Sequence, residues 1–132
     1  MPSLSVIVST RNRRAALLPC LRSNLSSVDR DFDLLVIDQS EDDSTATAVR
    51  SGADTRVAYH KSSSRGLAAG RNAGAALSRA SLLAMTDDDC EVQGDWIAAV
   101  RRVFDRHKAS MVFGSVLPGP HDGERGFWTS SL

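Results

Sequence analysis

The chain has 132 residues, 42% of them hydrophobic and 24% charged, which suits one folded domain with its own core and excludes a disordered or fibrous chain. Sixteen basic and sixteen acidic residues cancel, so no overall field draws the protein to nucleic acid or an anionic membrane; any binding rests on local clusters. No apolar run approaches the ~20 residues that span a bilayer, and the opening MPSLSVIVST lacks the basic and long apolar regions of a secretory signal.

From the N-terminus, apolar runs alternate with helical stretches. LSVIVS (4–9) is a continuous β-branched run, as expected of a strand buried on both faces. Residues 13–27 place Leu17, Leu21 and Leu25 four apart, with Val28 three further on, which predicts one face of a helix with Pro19 near its first turns. DLLVIDQ (33–39) is a second buried strand. Residues 42–52 predict a short helix, capped by Asp and Ser before it and Gly52 after it.

RVAYH (56–60) reads as a weaker third strand, followed by a small-residue helix over 66–80. Leu67, Gly70, Ala73, Gly74 and Leu77 are expected to lie against a sheet. SLLAMT (81–86) is strand four, and 94–107 an amphipathic helix with Trp96, Ile97, Val100, Val103 and Phe104 on its apolar side. SMVFGSVL (110–117) is expected to be strand five. Strands joined by helices imply an α/β fold: a mostly parallel, Rossmann-like sheet with helices on both faces. Residues 1–117 form this domain, and 118–132, rich in glycine and proline, are expected to be a loop or disordered tail.

The polar clusters follow the strands: STRNR after the first, DQSEDD after the second, TDDD after the fourth. Open α/β sheets bind ligands at that rim. If TDDD stays extended, Asp87 and Asp89 leave the same face and Asp88 the other. Two carboxylates facing one site suit a hard divalent cation that keeps places for water and phosphate oxygens; the bland alternative is a solvated acidic turn. Asp38, ending strand two, has the chemistry to accept a hydrogen bond from a base or ribose, or simply to make a turn before Ser40. Arg11, Arg13 and Arg14 offer positive charge to phosphates or to solvent.

Several classes lack their signatures. RGLAAGRNAG is neither a P-loop nor a dinucleotide fingerprint. His60, His107 and His121 are scattered, and no G-x-S-x-G elbow occurs, which argues against zinc chemistry and serine hydrolysis. Cys20 and Cys90 have no metal-like spacing and read as reduced thiols of a cytoplasmic protein.

LSVIVSTRNR, LLVIDQSEDD, RGLAAGRNAGAALS and LLAMTDDDCEV together resemble, in order and spacing, the family 2 glycosyltransferases of GT-A fold. The resemblance runs over residues 4–92, with GSVLP fitting the next segment, and covers the N-terminal, nucleotide-sugar-binding half of the family's domain. It implies that Thr10 and Arg11 line the nucleotide and that Asp38 binds the base. Arg71 lies in the stretch that reaches the nucleotide. Asp87 and Asp89 frame a D-x-D motif holding a divalent cation, Mg²⁺ or Mn²⁺, with the donor diphosphate, while Asp88 touches ribose or donor sugar. Gln39 departs from the commoner acidic-glycine form of its turn.

The implied reaction moves a sugar from a nucleotide-diphosphate donor, a UDP-sugar being favoured, to a glycan or lipid-linked acceptor hydroxyl, with inversion. The general base would come from the C-terminal half; Asp122 and Glu124 are the late carboxylates here and poor candidates for it. A truncated domain is expected to expose an apolar edge near Phe113, Val116 and Trp128 and to self-associate. The expected location is cytoplasmic, including the cytoplasmic face of a membrane, with no nucleic-acid partner. The alternative is a stand-alone nucleotide or nucleotide-sugar binding module without catalysis. A nucleotidyltransferase would need a basic glycine-rich loop after strand one, and a receiver domain an acidic pair there; neither is present.

Overall fold

The structure, a computed structural model, describes residues 2–119. Four strands, β1 (Leu4–Thr10), β2 (Phe32–Asp38), β3 (Val57–Lys61) and β4 (Leu82–Asp87), alternate with four helices: α1 (Arg14–Leu25), α2 (Ser44–Ser51), α3 (Leu67–Leu77) and α4 (Trp96–Arg106). The sheet is parallel throughout, in the order β3-β2-β1-β4. From β1 the chain works outward to β2 and β3, then returns to β1's other side as β4. Ligands of such sheets bind at the strands' carboxyl ends where that direction reverses. Here that point lies between β1 and β4.

Strand alternation divides the core in two. Leu4, Val6 and Val8 of β1, with Leu34 and Val36 of β2, pack beneath Leu17 and Leu21 of α1, Val49 of α2 and Ile97 of α4. The intervening residues Ile7, Leu35 and Ile37 face α3, where Ala73 and Ala75 meet them. Helices thus cover both faces, three against one. The two central strands need apolar residues on both sides, which is why β1 is buried along its whole length.

Glycine sets how closely α3 can lie. A β-carbon on Gly74 would overlap Ile7 Cγ2 and stand 3.2 Å from Ile7 Cγ1; one on Gly70 would overlap Ser9 Oγ and stand 2.8 Å from Ser9 Cβ. Both glycines are buried, as the small-residue pattern implied. Leu67 and Leu77, expected on the same face, are instead exposed, because α3 touches the sheet only along its central turns.

Three further expectations are corrected. Pro19 lies well inside α1 rather than at its start; Ala15, whose carbonyl would otherwise accept from residue 19, is exposed, so water can take that bond. Val28 falls beyond α1 and is 73% exposed. Residues 110–117 form no strand; Phe113 and Val116 are 87% and 81% exposed. A strand needs a neighbour for its backbone groups, and among the described residues none pairs with this segment. The expected apolar edge is therefore present at Phe113 and Val116, while Trp128 and most of the 118–132 tail lie outside the described residues. Leu83 and Met85 of β4 share the α3 face with Ser5 and Ile7 by register but extend past the helix and are exposed. No helix among the described residues is long and apolar enough to cross a membrane.

Candidate functional site

Parallel register brings the ends of three strands level. Thr10 stands opposite Asp38, and Ser9 opposite Asp87. At this rim a cleft of about 350 Å³ is lined by Thr10, Arg11 and Arg13 after β1, by Gln39 after β2, by Gly66 and Leu67 at the start of α3, and by Asp87, Asp88 and Asp89.

Asp88 and Asp89 do not continue the strand. β4 ends at Asp87 and the chain turns at once, the Cys90 N–H donating to the Asp87 carbonyl at 3.1 Å. This turn, rather than an extended i/i+2 relation, brings Asp87 and Asp89 together. One donor atom from each of Asp87, Asp89 and Cys90 lies within 4.8 Å of the others. Two carboxylates at that spacing fit a hard divalent cation with coordination places left for water and phosphate; the thiol is a softer donor.

Asp88, expected to face away from the other two, lines the same cleft and is only 5% exposed. Thr10 Oγ1 donates to its Oδ2 at 2.8 Å and Arg13 Nη1 to its Oδ1 at 3.0 Å. Arg13 also reaches Asp89, Nη2 to Oδ2 at 3.0 Å, and these two aspartates hold its guanidinium more firmly protonated than usual. From α3, Arg71 pairs with Asp87, Nη2 to Oδ1 at 2.7 Å. Three close carboxylates would repel strongly; two interleaved guanidinia make the cluster tolerable.

Arg11 points outward and pairs with Glu41 at 3.0 Å, both side chains well exposed. Asn12 between the two arginines takes a left-handed conformation, φ 53°, one its short polar side chain tolerates. Its N–H donates to Ser40 Oγ at 2.8 Å, which ties the turn after β1 to the turn after β2.

Asp38, which the resemblance assigns to the base, is the last residue of β2. It is fully buried, and both its oxygens are engaged within the protein: the Ser40 N–H donates to Oδ1 at 2.8 Å and Tyr59 Oη to Oδ2 at 2.7 Å. Burial and this carboxylate push the Tyr59 phenol's pKa upward. Lys61 Nζ lies 4.0 Å from Oδ2. Gln39, the next residue, faces the cleft instead, its Nε2 anchored on Ser64 Oγ at 2.9 Å and the Gly66 carbonyl at 3.1 Å. Strand parity carried this signal: Asp38 is in phase with Leu34 and Val36, whose side chains lie under the helices. Tyr59→Phe leaves the buried carboxylate with one donor fewer and is expected to cost about 1.5–3 kcal/mol in urea unfolding; a change below about 0.5 kcal/mol would show that water replaces the phenol.

Both cysteines are free, Cys20 buried and Cys90 half-buried. Cys20 Sγ reaches the Asp87 carbonyl at 3.4 Å from beneath, and burial, with the nearby Cys90, pushes its thiol up to about 12. Packing, not reactivity, describes Cys20.

The family model described as Glycosyl transferase family 2 matches residues 5–131. The chain belongs to this family. Among curated proteins none matches it significantly. Solved structures share its fold: S. aureus TarS 1-349 in complex with UDP aligns at TM-score 0.71 and 19% identity, over 90% of this chain and 38% of that one. The complex of the same protein with UDP-GlcNAc gives the same score over 37% of its length. The mannosyltransferase PcManGT from Pyrobaculum calidifontis, in complex with GDP-Man and Mn²⁺, aligns at TM-score 0.66 and 24% identity, over 74% of this chain and 30% of that one. The four-stranded parallel sheet is thus the GT-A arrangement of the family 2 glycosyltransferases, and the chain spans less than two fifths of the length of each of these three structures.

Proposed function

We propose that this family 2 chain binds a nucleoside-diphosphate sugar, with a UDP-sugar favoured, in the cleft at the ends of β1 and β4. The sugar would be transferred to a glycan or lipid-linked acceptor hydroxyl with inversion, the bond to the diphosphate breaking as the bond to the acceptor oxygen forms and the nucleoside diphosphate leaving. The observation that carries the proposal is the convergence of Asp87, Asp88, Asp89, Arg13 and Arg71 at the sheet's reversal point in a chain of this family. Asp87 and Asp89 would hold a divalent cation, Mg²⁺ or Mn²⁺, which when bound supplies Lewis-acid stabilisation of charge on the leaving diphosphate. Arg13 and Arg71 offer the fork geometry that suits phosphate oxygens.

Thr10 lines the nucleotide and fixes Asp88; Arg11 serves the nucleotide only by leaving Glu41. Asp88 holds Arg13 and Thr10 in place at the edge where ribose or sugar would lie. Asp38, fixed by Ser40 and Tyr59 at the rim, would bind the base, with Gln39 lining the cleft beside it. Nucleotide preference is tested by titrating uridine, guanosine and adenosine diphosphates into the protein with Mn²⁺. Uridine diphosphate should bind tightest. Equal binding of all three would keep the diphosphate site and remove the base preference; binding of none would overturn the proposal.

A second reading, binding without turnover, is favoured by one observation. Every aspartate lining the cleft is already held by an arginine, so none of them stands ready to take a proton from an acceptor hydroxyl. Incubation of the chain with a UDP-sugar and acceptor separates the readings: product release supports the transferase, and saturable binding with no product supports the module. Self-association is also proposed, supported by exposed Leu83, Met85 and Phe113.

A further inference from the structure

We propose that Arg13 couples the cation to the diphosphate: it is a counter-ion of the acidic turn and moves to phosphate when the cation enters. The inference rests on the donor-site reading above. Arg13 stands between the end of β1 and the start of α1 and forks across two aspartates, 3.0 Å from Asp88 and 3.0 Å from Asp89. Arg71 holds the third at 2.7 Å. Three carboxylates against two guanidinia leave the turn with a single net negative charge. The arginines therefore already neutralise most of the charge that would attract a divalent cation.

If the cation came alone, the site would become net positive beside two guanidinia, which is unfavourable at this range in a half-exposed site. A diphosphate arriving with it restores the balance and gives Arg13 a new bidentate partner. Each ligand should then bind more tightly in the presence of the other, and by the same factor. Arg13 is better suited to this exchange than Arg71. Its side chain is 52% exposed and lines the cleft, so it can swing to a phosphate without disturbing the fold. Arg71 is less exposed, at 35%, and pairs with Asp87 alone, at 2.7 Å. Asp88, held separately by Thr10, keeps its place when Arg13 leaves.

The test is calorimetric titration of Mn²⁺ into the full chain, alone and with saturating UDP, for wild type, Arg13→Ala and Arg13→Lys. Arg13→Ala should bind Mn²⁺ alone about tenfold more tightly than wild type, the weight of about one guanidinium charge at this distance. It should lose most of the enhancement that UDP confers. Arg13→Lys, which keeps the charge but not the fork, should match wild type in Mn²⁺ affinity alone and recover only part of the UDP enhancement; a merely structural role for Arg13 would not give that partial rescue. Should Arg13→Ala fail to fold by circular dichroism, Arg13→Gln retains hydrogen-bond donors, removes the charge and carries the same comparison. Equal Mn²⁺ affinity in wild type and the uncharged variant, or no enhancement by UDP in wild type, overturns the coupling while leaving the donor site standing. A folded wild type that takes up neither Mn²⁺ nor UDP overturns the donor site and the coupling together.

Discussion

Asp89→Ala is expected to weaken Mn²⁺-dependent UDP binding by at least about a hundredfold while leaving the fold within about 0.5 kcal/mol of wild type. The size follows from position. Residues that only support a metal ligand cost about 10–100-fold in metal affinity when removed, and Asp89 would be a ligand itself. Stability should hardly move because Asp89 is an exposed member of a crowded acidic turn, and its loss relieves repulsion as well as breaking an exposed ion pair of small value. Asp88→Ala should behave in the opposite manner. Asp88 is buried and accepts from both Thr10 and Arg13, so its removal strands the threonine hydroxyl and should cost about 1–3 kcal/mol of stability. Paired calorimetry and urea unfolding on the two variants check this. Equal binding losses with equal destabilisation would mean that the turn acts only as a structural unit.

Gly74→Ala is expected to destabilise the protein by about 1–3 kcal/mol, although alanine is favoured over glycine in helices by about 1 kcal/mol. The added β-carbon would overlap Ile7 Cγ2, and Ile7 belongs to β1, the central strand that pairs on both sides, so it cannot retreat. Instead α3 must lift, and Arg71, one turn earlier on the same helix, would be drawn away from Asp87. UDP binding should therefore fall along with stability. Asn72→Ala, exposed on the same helix, supplies the control and should be neutral or slightly stabilising. Urea unfolding of both variants decides: a stabilised Gly74→Ala would show that α3 lies further from the sheet than the structure places it.

The strands most legible in the sequence were those buried most. LSVIVS and DLLVIDQ are continuous apolar runs because β1 and β2 are covered on both faces, and the glycines of 66–80 announced a helix that lies close. An apolar run does not say whether a neighbouring strand exists, however, and 110–117 failed as a strand for that reason. The acidic cluster at the end of β4 was legible in the sequence but its geometry was not, since the hydrogen bond from Cys90 to Asp87 that bends it depends on the chain leaving the sheet. Asp38 was placed correctly at the rim, yet its alternation with Val36 directs its side chain under the helices and leaves Gln39 to the cleft. Arg13 was seen as one of three arginines with open roles. Its hold on Asp88 and Asp89 joins residues 75 and 76 positions apart, a relation that local sequence does not carry.

Calorimetric titration of UDP into the wild-type chain, with Mn²⁺ and again with EDTA, tests the donor site most directly. Saturable binding with Mn²⁺ that weakens at least about tenfold when the metal is chelated, one order per ~1.4 kcal/mol of lost interaction, is the predicted result. A chain that is folded by circular dichroism yet binds UDP under neither condition would contradict it.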